Sequence, residues 1–60
     1  MKLIGNTYRH FEKGFCIKVV TCNKKIVTVE NIETYETTKF NRSKFEWMVN
    51  KYIFLKINND

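Results

Sequence analysis

Sixty residues carrying eleven Lys and Arg against six Asp and Glu, nine aromatic rings and no proline fit one small folded domain over residues 1–60, not a disordered basic tail. A chain of this length buries only about 60% of its unfolded surface on folding, which disfavours an enzyme with a deep substrate cleft. No apolar stretch approaches the ~18 residues of a membrane span, and Met1-Lys2-Leu3-Ile4-Gly5 turns polar too soon for a secretory leader, so a soluble cytoplasmic protein is expected.

Gly5-Asn6 and Lys13-Gly14 bracket a short extended segment over residues 7–12, with Tyr8 and His10 on one side and Arg9 and Phe11 on the other. Residues 15–22, rich in β-branched and aromatic side chains, read as the clearest strand. Asn23-Lys24-Lys25 supplies a polar turn, and residues 26–30 complete a hairpin that Asn31 breaks. Residues 32–39 alternate weakly and read as an edge strand. Ser43-Lys44-Phe45-Glu46 has the spacing of a capping box, with Ser43 and Glu46 bonding each other's backbone N–H groups, and so predicts a short helix over residues 44–50. Residues 52–57 alternate as a last strand, with Ile53, Leu55 and Ile57 opposite Tyr52, Phe54 and Lys56, and Asn58-Asn59-Asp60 read as a frayed end. Four to five short antiparallel strands with one short helix predict a mainly β fold, a small SH3-like barrel, because curling the sheet limits exposed edges. An open antiparallel sheet carrying one packed helix is the runner-up.

Cys16 and Cys22, if they share one regular strand, fall on the same face about 20 Å apart. A disulfide needs Cα atoms within about 7 Å, so reduced cysteines are expected. With one histidine and no Cys-x-x-Cys pair, neither a metal nor a cofactor is expected. Catalysis is also not expected: His10 has no evident nucleophile beside it and reads as a hydrogen-bonding residue of a turn or strand, the carboxylates form no paired motif, and no glycine-rich phosphate loop occurs.

Gly5-Asn6-Thr7-Tyr8-Arg9-His10-Phe11-Glu12-Lys13-Gly14 resembles the opening of a family of small bacterial and phage domains that begin Gly-x-x-Tyr-Arg-His-Phe-Lys-Gly. Ile17-Lys18-Val19-Val20 and Arg42-Ser43-Lys44-Phe45-Glu46-Trp47-Met48 stand where that family has its Val-rich strand and its Phe-bearing helix, although Glu12 is an added residue and Ser43 replaces a proline. The resemblance implies a small β-barrel-like module without catalytic residues to carry over. The residue choices read as those of an AT-rich genome, common in phage and low-GC bacterial genes, since Phe, Tyr, Met, Ile, Asn and Lys make up 32 of the 60 residues.

Two functions follow from these features. The first is a phage-type accessory protein that binds and modulates a host protein in the host cytoplasm. At helical spacing Phe45, Met48, Val49 and Tyr52 share one face, whereas Trp47 points away beside Lys44 and Lys51, so Trp47, Lys44 and Lys51 are candidate contact residues. Tyr35 joins them from the edge strand, which also offers strand addition to a partner or homodimer formation. The second is a nucleic-acid-binding module. Lys2, Arg9, Lys13, Lys18, Lys24 and Lys25 lie in the more cationic N-terminal half, and with Tyr8, His10 and Phe11 they offer phosphate contacts and stacking rings. AT-rich codons also accumulate lysine without any phosphate partner, which weakens this reading, as does the presence of only two arginines.

Overall fold

The computed structural model describes residues 3–57; the expectation of a frayed end at residues 58–60 lies outside them. The chain is mainly β, with strands β1 (Thr7–His10), β2 (Cys16–Cys22), β3 (Ile26–Asn31), β4 (Thr37–Asn41) and β5 (Phe54–Lys56), and helix α1 (Arg42–Asn50) between the last two. All pairings are antiparallel in one sheet of order β4-β3-β2-β1-β5. The first and last strands pair and α1 packs against β3, β4 and β5, the plan of a small SH3-like barrel whose open side is covered by a helix.

Curling this sheet depends on β2, the strand its β-branched residues predict. Its register with β3 shifts between Val19 and Thr21, a bulge at Val20. A bulge bends its strand and reverses the alternation of side chains. Ile17 and Val19 therefore face inward before the bulge, and Cys22, opposite Val27, faces inward after it. Cys16 lies opposite Arg9 on the outer face. The two cysteines are thus on opposite faces, because the extra residue breaks the even spacing; both are free thiols.

The predicted edge strand moves. Residues 32–36 form a loop, because the Asn31 side chain accepts hydrogen bonds from the backbone N–H groups of Glu33 (2.8 Å) and Thr34 (3.1 Å) and ends the strand, as Asx turns do. β4 begins only at Thr37. The helix start also differs from the expected capping box. Asn41 is the N-cap, its Oδ1 accepting from the Ser43 N–H at 2.9 Å. Glu46 meets Arg42 at 3.4 Å instead of returning to Ser43. Pairing of Ile26 with Asn41, together with the Arg42 N–H donating to the Lys25 carbonyl (2.7 Å), brings the β4–α1 junction forward.

The core is Leu3, Tyr8, Ile17, Val19, Val27, Val29, Phe45 and Phe54. Phe45 is fully buried, with its ring centroid 5.4 Å from Tyr8, 5.8 Å from Phe40 and 5.7 Å from Phe54; α1 thereby joins β1, β4 and β5. The Tyr8 hydroxyl, taken out of water, accepts from Asn6 Nδ2 at 3.2 Å. On β5 the inward side chain is Phe54, opposite His10, while Leu55 and Ile57 remain exposed: pairing with β1, and not the count of aliphatic residues, decides which face turns in.

Candidate protein-interaction face

Burying Phe45 fixes the rotation of α1. With 100° between successive residues, Met48 and Val49 follow Phe45 toward the core, and Trp47 turns to the opposite side. Trp47 is 54% exposed. Lys44 and Lys51, three residues before it and four after, are exposed on the same side. The helix thus brings together three of the four residues expected to bind a protein.

The fourth, Tyr35, belongs to the β3–β4 loop and not to the helix. It is 73% exposed at φ 63°, the left-handed region that glycine or asparagine enters without strain. Its N–H donates to the Asn31 carbonyl at 2.8 Å, and the Asn31 N–H to the Glu36 carbonyl at 2.8 Å, which closes the hairpin around it.

Tyr52 departs from expectation. Helical periodicity places it on the core face, but it is 73% exposed at φ 62°. The Tyr52 N–H donates to the Val49 carbonyl (3.1 Å) and the Ile53 N–H to the Met48 carbonyl (2.9 Å), the paired bonds of a Schellman helix end. Tyr52 holds the left-handed position of that motif, where glycine is usual. The sequence signal for this is faint: an apolar Met48 and Ile53 at the spacing the motif favours, without a glycine between them.

The residues of the nucleic-acid reading are scattered. Arg9 and Lys18 lie on adjacent strands of the outer sheet face, with Glu30 directly opposite Lys18. Lys13 is in the β1–β2 turn, whereas Lys24 and Lys25 occupy the β2–β3 turn at the other end of β2. Lys2 lies outside the described residues. Nor are the expected stacking rings free: Tyr8 is in the core and His10 is packed between Phe15 (5.0 Å) and Phe54 (5.4 Å). Of the three, only Phe11 is exposed.

His10 organises the turn that follows it. Its Nδ1 accepts from the backbone N–H groups of Lys13 (3.0 Å) and Glu12 (3.3 Å), so the proton of the neutral ring is on Nε2. Among the described residues no cluster of three His, Cys, Asp or Glu side chains is placed to hold a metal, and no helix is long and apolar enough to cross a membrane. A shallow cleft of about 230 Å³ lies between Leu3 and α1, lined also by Glu46, Val49 and Asn50. Comparison with family models, with curated proteins and with solved structures yields no match.

Proposed function

We propose that this chain is a small non-enzymatic accessory protein of the phage type, which binds a host protein stoichiometrically in the host cytoplasm and modulates it through the outer face of α1. The observation that supports this reading is Trp47, more than half exposed on a helix whose one other aromatic ring, Phe45, is fully buried. An indole left in water and flanked by exposed lysines has the composition of an interaction hot spot. Tyr35 provides a second exposed aromatic contact from the β3–β4 loop, and homodimer formation through the free edge of β4 is compatible with the same role.

The test is affinity capture from bacterial lysate with the tagged protein, with and without nuclease and at low and moderate salt, beside the Trp47→Ala variant. A protein retained through nuclease and salt and lost with Trp47→Ala is the expected result. Retained nucleic acid that washes off steeply with salt would instead favour the module built on Arg9, Lys13 and Lys18.

A further inference from the structure

The outer face of α1 has a charge asymmetry that bears on what it recognises. Its one carboxylate, Glu46, is occupied by Arg42 at 3.4 Å, and among the described residues this is the only salt bridge. Among the same described residues Lys44 and Lys51 have no such partner. Seven residues at 1.5 Å rise separate them by about 10 Å along the axis, with Trp47 between them. The exposed apolar surface is therefore bracketed by two uncompensated positive charges, on a chain whose net charge is already +5.

Tyr52 is a second exposed aromatic at the end of the same helix. Immediately beyond the helix end, the backbone adopts a conformation suited to glycine and holds a large side chain that is almost three-quarters exposed. The strain is not repaid by burial within the chain. Strained backbone that presents an exposed aromatic is a feature retained at binding sites.

We infer that the α1 face receives an acidic protein segment bearing an apolar anchor. Trp47 seats the anchor, Lys44 and Lys51 meet carboxylates on either side, and Tyr52 extends the contact beyond the helix. This rests on the reading of α1 as the binding face. A peptide suits the face better than a nucleic acid because the basic residues do not form one row: Arg9 and Lys18 lie on the outer sheet face, Lys13 in the β1–β2 turn, and Lys24 and Lys25 at the other end of β2, held beside the start of α1 by the Arg42–Lys25 bond.

The experiment pans a display library of random short peptides against the protein, against Trp47→Ala and against a Lys44→Gln/Lys51→Gln double variant, then measures recovered peptides and a thymidine oligonucleotide by fluorescence. Trp47 is the sole tryptophan, so its emission reports on the site directly. The expected peptides carry Asp or Glu around one large apolar residue, shift Trp47 emission to the blue, and bind the double-lysine variant about tenfold more weakly. Tyr52→Gly is expected to bind them several-fold more weakly while raising Tm, a combination that a purely structural role would not produce. Peptides that shift Trp47 but show neither acidic enrichment nor dependence on the lysines would overturn the acidic specificity and leave the binding face standing. Failure to recover any peptide, or recovery of the same peptides on Trp47→Ala, would remove the face and the inference together. Tighter, salt-sensitive binding of the oligonucleotide would assign the face to nucleic acid. Circular dichroism establishes that each variant is folded; were Trp47→Ala to unfold, the double-lysine variant carries the comparison.

Discussion

Two tyrosines in left-handed backbone, Tyr35 at φ 63° and Tyr52 at φ 62°, create local conflicts between side chain and conformation. Neither is visible in the sequence, where left-handed positions are ordinarily marked by glycine or asparagine. Tyr35→Gly should stabilise the fold by about 0.5–1 kcal/mol, since relief of the Cβ clash exceeds the entropy that glycine adds to the unfolded chain; thermal unfolding measures this, and a lower Tm would show that the Tyr35 side chain has packing value. His10 was more legible. A lone histidine just ahead of Lys13-Gly14 reads as a hydrogen-bonding residue of a turn or strand, and its Nδ1 does accept two turn N–H groups. His10→Phe should preserve much of the ring packing against Phe15 and Phe54 yet cost about 1 kcal/mol through those lost bonds, as urea unfolding would register.

The existence of α1 was readable from a cap signal followed by apolar residues at helical spacing, but its first residue was not. Asn41 and Ser43 are comparable N-caps by residue type; pairing of β4 with β3 selects Asn41. Asn41→Ala is therefore expected to cost about 1 kcal/mol and Ser43→Ala close to nothing, the reverse of what the Ser43–Glu46 capping box predicts. β4 permits a similarly sharp contrast. Hydrogen bonds at Asn31–Glu36 and Arg42–Lys25 fix the alternation, so Thr38 and Phe40 bond to β3, and the backbone groups of Thr37 and Lys39 point to the open edge. Lys39→Pro should leave the fold intact by circular dichroism, whereas Thr38→Pro removes a ladder bond and should destabilise it by about 3 kcal/mol. Equal losses from the two would place β4 in the opposite phase.

Across the whole molecule, one side chain links the sheet to its helix. Phe45 meets rings from β1, β4 and β5, and Phe45→Ala is expected to cost about 3–5 kcal/mol. A chain of this size has only about 3–9 kcal/mol of stability in total, so the variant should show a collapsed or absent thermal transition; a Tm near that of the parent would mean that α1 is not needed to close the barrel. The mainly β class, the β2–β3 hairpin, the presence of the helix and the outward turn of Trp47 all follow from the sequence, because each depends on local propensity, turn chemistry or periodicity within a few residues. Tertiary structure alone decided the placement of β4, the inward turn of Phe54, the separation of the cysteines onto opposite faces, the exposure of Tyr52 and the dispersal of the basic residues. These depend on strand register and on one bulge at Val20, where a shift of a single residue exchanges the inner and outer faces, and register is settled between segments that are distant in the chain.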